Sequence, residues 1–246
     1  MLCVRCIISV EEVQLFIKRM EHVNMNGLSV EMQNFLLSGY FGDVTEDNIG
    51  KLCVNRAYQD VCRTIPYRYS LERIKDRKNE PAIKKFVEKK KLFYAEIETI
   101  LSEVKASDKP ITLIETVKQK SGNYSEIFRE DGFTYGQAQK WVNMTLKYLW
   151  LFGKCPIAEE ELDVPLDSYI IHAIVDKKSK NKYGLHMAID GLKADMPWSK
   201  LNNMDLYNAI QQAVQREIEK TDFNTDIKTK IQWENLAWLE QVKITK

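Results

Sequence analysis

The sequence predicts an all-α protein, and three observations carry that reading. The 246 residues include only 10 Gly and 6 Pro, too few breakers for a turn-rich all-β fold. Hydrophobic residues make up 44% and charged residues 29%, the balance of a chain that folds around a core. Long runs then place apolar residues at helical spacing, most clearly between Phe133 and Ile174. The expected architecture is a compact multi-helix body. A polar, proline-ended linker over 106–110 separates an N-terminal helical region, 1–105, from a C-terminal one, 106–246. They form either two lobes or one continuous domain.

Lys plus Arg (36) nearly cancel Asp plus Glu (35), for a net charge of +1. A general attraction to nucleic acid or to a membrane surface is therefore absent from the composition, and any such site must come from local placement of charge. The five cysteines, Cys3, Cys6, Cys53, Cys62 and Cys155, are an odd number without disulfide-framework spacing. Cys3-x-x-Cys6 has no second pair and only three histidines to complete it, so neither a metal nor a cofactor is expected. The apolar run from Leu2 to Val10 is interrupted by Arg5, too short and too charged for a leader or a span. A soluble protein of a reducing cytoplasm is expected.

Taken in order, Ser9 to Glu12 reads as a capping box before a helix carrying Val13, Phe16, Ile17 and Met20. A shorter helix follows Ser29, with Met32, Phe35 and Leu36 inward. Glu46-Asp47 suits the positive end of the next helix, whose inner face holds Ile49, Leu52, Cys53, Tyr58, Val61 and Cys62. Arg56 and Arg63 lie on or beside that face, where their stems can cover apolar surface. Asn79-Glu80-Pro81 opens a long helix to about Val104, with Ile83, Phe86, Val87, Phe93, Ile97, Ile100, Leu101 and Val104 inward. Its outer face begins with Lys84, Lys85, Lys89, Lys90 and Lys91, either a solvated face or a row for phosphates. Thr112-x-x-Glu115 begins a short helix ending near Gly122.

Thr134 and Gln137 form a second capping box, approached through Gly132. Ala138, Trp141, Val142, Thr145, Leu149 and Phe152 follow as an inward stripe, while Lys140, Met144 and Lys147 share another face. Gly153 is placed to end the helix, and Pro156 prevents its continuation. After the acidic loop of Glu159, Glu160, Glu161 and Asp163, Pro165-Leu166-Asp167 opens another helix, with Asp167 as its N-cap. Asp176 to Gly184 is a polar, lysine-rich loop. His186 reads as structural, and 185–197 as irregular. Ser199 caps a short turn, and a helix from Met204 carries Leu206, Tyr207, Ile210, Ala213, Val214 and Ile218. A closing helix holds Ile231, Trp233, Leu236, Ala237, Leu239 and Val242, with Trp233 and Trp238 offset on its surface.

Gly136-Gln137-Ala138-Gln139-Lys140, followed by Val164-Pro165-Leu166-Asp167, resembles the helix-hairpin-helix DNA glycosylase superfamily, nearest its 8-oxoguanine glycosylase/lyase branches. The family has Pro-Gly before the hairpin and a second glycine within it, where this chain has Tyr135-Gly136 and Ala138. The resemblance implies a helix-hairpin-helix fold and duplex DNA with a damaged base as the partner. It assigns Gly136, Gln137 and Ala138 to a hairpin whose amides hold a DNA phosphate. Lys140 becomes the nucleophile that forms a Schiff base with the sugar, and Asp167 its carboxylate partner. An extruded base needs an apolar wall, which Trp141, Trp198 or Tyr207 could supply. Two rivals stand beside this reading. One is a non-enzymatic helical interaction protein in which Asp167 only caps a helix. The other is a nucleic-acid binder acting through the lysine row.

Overall fold

The structure, a computed structural model, describes residues 37–69, 80–221, 223 and 227–245. The helices expected after Ser9 and Ser29, and the Cys3–Cys6 pair, lie outside these residues. Among the described residues seven α-helices have defined limits, and no strand forms. They are α1 (Ile49–Val61), α2 (Glu80–Ser102), α3 (Pro110–Gly122), α4 (Tyr135–Leu151), α5 (Ser168–Val175), α6 (Met204–Lys220) and α7 (Lys230–Thr245). Residues 37–41 are also helical. The all-α expectation therefore holds. No helix among the described residues is long and apolar enough to cross a membrane.

The elements sit close to where their local signals put them. α3 begins at Pro110, two residues before Thr112, because proline satisfies the first helical position and needs no amide partner. α2 ends at Ser102, and its inner face is Ile83, Phe86, Phe93, Ile97 and Leu101. At the end of α4, Gly153 takes the left-handed conformation at φ 69°. Its amide meets the Trp150 carbonyl at 2.9 Å while the Lys154 amide meets that of Leu149 at 2.8 Å. Those two bonds satisfy carbonyls that would otherwise be orphaned at the helix end.

α4 is the central element. It is buried along nearly its whole length and packs chiefly on α1 and then on α3. Trp141 is at its middle, wholly buried, with its indole N–H on the Val54 carbonyl of α1 at 3.1 Å. Tyr58, Tyr94, Phe93 and Phe133 surround its ring at centroid distances of 5.0 to 6.1 Å. The buried apolar side chains form one cluster running from Leu37 to Ala237, so residues on both sides of the 106–110 turn share a core.

α7 corrects one expectation. Trp233 is fully buried and its indole N–H reaches the Tyr183 carbonyl at 2.9 Å. Trp238 is half-buried, edge-on to Tyr169 of α5 at 5.7 Å. Neither tryptophan is a surface residue, because α7 meets neighbours on more than one side and has no single inward stripe.

Candidate active site

Helix α4 starts as its sequence predicts. The Thr134 hydroxyl oxygen accepts from the Gln137 backbone amide at 3.1 Å, and the Gln137 side-chain Oε1 accepts from the Thr134 backbone amide at 3.0 Å. A 3-10 turn at Trp198–Lys200 closes over this start. Thr134 donates its hydroxyl to the Ser199 carbonyl at 2.6 Å, and the Gly136 amide donates to the Leu201 carbonyl at 2.7 Å. A Cβ at position 136 would lie 1.9 Å from the Trp198 carbonyl oxygen, so only glycine fits this approach.

That cover bears on the hairpin residues. The Gly136 amide is bonded to Leu201, the Gln137 amide to Thr134, and the Ala138 amide to the Thr134 carbonyl at 3.1 Å. The three amides assigned by resemblance to a phosphate are thus turned to protein acceptors. The aromatic candidates are also displaced from their expected role. Trp141 is core, and Tyr207 is fully buried with its hydroxyl between Asn143 and Asp163. Burial, with the Asp163 charge behind it, pushes the Tyr207 hydroxyl well above its ordinary range and keeps it a donor. Trp198 is half-buried in the turn over the start of α4.

Lys140 and Asp167, by contrast, converge. Lys140 is one turn into α4 and only 6% exposed, and its Nζ lies 2.8 Å from Asp167 Oδ2. Asp167 is also the N-cap of α5, its Oδ1 accepting from the Ile170 amide at 2.9 Å. The indole N–H of Trp238, 71 residues away in sequence, approaches the same Oδ2 at 3.3 Å. Burial alone would push the Asp167 carboxyl up. The Lys140 ammonium, the Ile170 amide and the charge of Lys147 outweigh it and hold the carboxyl below the usual carboxylate range.

A second pair adjoins the first. Lys147, two turns along α4 from Lys140, forms an ion pair with Glu234 of α7, a carboxylate whose side chain is 1% exposed. A third joins Lys230 of α7 to Asp163 at 2.6 Å. Of the acidic loop, Glu159 and Asp163 are half-buried and turned to protein partners, while Glu160 and Glu161 are exposed. Glu159 accepts from Trp150, Thr229 and Gln232, fastening the end of α4 to the start of α7. Sequence reasoning missed Glu234 and Trp238, and only the helical spacing of Lys230, Glu234 and Trp238 could have signalled them.

The lysine row is only partly free. Lys90 lies 4.1 Å above the Tyr67 ring, and Lys89 pairs with Glu126 at 3.7 Å, while Lys84, Lys85 and Lys91 are exposed. A separate open cavity of about 570 Å³, lined by Lys109, Arg216 and Lys230 among others, includes neither Lys140 nor Asp167.

The depressed Asp167 carboxyl makes a stability prediction. A folded-state pKa below the unfolded one contributes stability above the unfolded value, near 4, which is lost as pH falls through the folded value. Asp167→Asn is expected to be less stable than wild type at pH 7, with the difference shrinking as urea unfolding is repeated at lower pH from about 4 downward. A difference constant with pH would show that folding does not depress the Asp167 carboxyl.

Comparison of the chain with protein-family models, with curated proteins and with solved structures returns no match. Its chemistry must be inferred from the site itself.

Proposed function

We propose that the protein is a DNA base-excision glycosylase with lyase activity, working through Lys140 and Asp167. The observation that carries this reading is the nearly buried Lys140–Asp167 pair, held between a helix interior and a helix N-cap. Lysine and carboxylate in contact, shielded from water, suit amine attack on a sugar. The Lys140 ammonium gives a proton to the departing base, the freed Nζ attacks C1′ of the extruded nucleotide as the C1′–base bond breaks, and a second Nζ proton passes to O4′ as the sugar ring opens. Ring opening then yields an imine between Nζ and C1′. Asp167 stabilises the positive charge that develops on the sugar before the new bond is complete. Beside the pair, Lys147 and Glu234 set a donor next to an acceptor, and Trp238 adds an aromatic face. Those are the contacts that a base's hydrogen-bonding edge and ring require.

Borohydride reduction in the presence of duplex DNA carrying an abasic site or an oxidised purine tests this. Wild type is expected to form a covalent adduct that maps to Lys140, and Lys140→Gln none. Absence of an adduct from wild type, or equal trapping by Lys140→Gln, ends the proposal.

A second reading is favoured by the closed amides of Gly136 to Ala138. In it the protein is a helical interaction module, and Lys140 and Asp167 only cap and brace α5. It predicts no adduct with any of these duplexes.

A further inference from the structure

The segment that delivers Asp167 has no secondary structure, yet the N–H and C=O of both Val164 and Leu166 are paired. In extended chain the N–H and C=O of alternate residues face one edge, which a neighbouring strand normally covers. Here two glutamines cover it. Gln139 of α4 donates to the Leu166 carbonyl at 2.8 Å and accepts from the Leu166 amide at 3.1 Å. Gln211 of α6 does the same for Val164, at 2.9 Å for both bonds. Pro165 between them brings no N–H of its own that would need a partner. Asn143 links the two clamps, donating to Gln139 Oε1 at 3.2 Å and to the Tyr207 hydroxyl at 2.9 Å. Both glutamines and Asn143 are buried, so each bond is made where water cannot replace it.

The pairing is in step with the site. Gln139 precedes Lys140 on α4, and Leu166 precedes Asp167 on the segment. The residues next to the pair are thus clamped by two hydrogen bonds, and the pair itself can hold one distance. We propose that Gln139 and Gln211 are positioning residues that set Asp167 against Lys140. Their relevance to catalysis rests on the base-excision reading, whereas the placement of Asp167 does not. A carboxylate held in this way cannot swing with a loop, and a displacement of about 1 Å at such a site costs on the order of a hundredfold in rate.

The test uses the full chain with ¹⁵N-labelled tryptophan. The Trp238 indole N–H, identified by its loss in Trp238→Phe, reports where Asp167 Oδ2 sits. In Gln139→Met and Gln211→Met this resonance is expected to move toward its position in Asp167→Ala. Trapping on an abasic duplex should slow by about a hundredfold while affinity for that duplex is kept. A purely structural role would lower the melting temperature and leave both readings at wild-type values, and that result overturns the proposal. Hydrogen exchange in wild type needs no variant: the Val164 and Leu166 amides should exchange as slowly as those within α4. Exchange at the rate of an open loop overturns the clamp. If wild type traps nothing and the indole still moves, base excision falls and the positioning of Asp167 stands.

Discussion

Glu234→Leu is expected to lower folding stability by about 3–5 kcal/mol. The side chain of Glu234 is 1% exposed, and its partner Lys147 is 12% exposed. Removing the carboxylate leaves the half-hidden Lys147 ammonium without the acceptor it is bonded to. The loss would consume a large part of the 5–15 kcal/mol that ordinarily separates folded from unfolded domains. In urea it should appear as a lower midpoint with an unchanged slope, since the surface exposed on unfolding is the same. Adding Lys147→Met is expected to restore most of the loss, because two apolar side chains fill similar volume without a stranded charge. A single substitution costing under about 1 kcal/mol would place the pair in the class of solvated surface bridges.

Trp141→Ala is the second large effect, expected at about 3–5 kcal/mol from the cavity alone. The ring is wholly buried where α1, α2 and α4 meet, with four aromatic neighbours that cannot all close over the space. Trp141→Phe keeps an aromatic ring in the cluster while removing the indole N–H bond to the Val54 carbonyl and part of the ring volume, and should cost clearly less than Trp141→Ala. Thermal unfolding of both variants checks this. Equal melting temperatures for Ala and Phe would show that the cavity collapses without penalty.

How much of this could be seen in the sequence depended on the distance over which each signal acts. The start and stop of α4 were legible because Thr134 with Gln137, and Gly153 with the last carbonyls, act within one helical turn. Asp167 as a cap was legible for the same reason. The meeting of Lys140 with Asp167 was suggested only by a motif, since no local rule joins residues 27 apart. Glu234 and Trp238 were hidden, because they reach the site from 87 and 71 residues away. The closure of the Gly136 amide was hidden too. It comes from 198–201, a segment whose own pattern predicts only an irregular turn. Local rules placed the elements; tertiary contacts decided what each element faces.

The three contacts along α7 also fix how far that helix can slide. Lys230, Glu234 and Trp238 follow one another at four-residue steps on one face and meet Asp163, Lys147 and Asp167 in turn. A slip of one turn, about 6 Å, in one direction would bring Glu234 onto Asp163. A slip the other way would set Lys230 against Lys147 and Glu234 against Asp167. Each misplacement buries like charges together at a cost well above that of losing a contact. On another side of α7 the Trp233 indole bond to the Tyr183 carbonyl sets the same register, so charge and packing agree on one position of the helix.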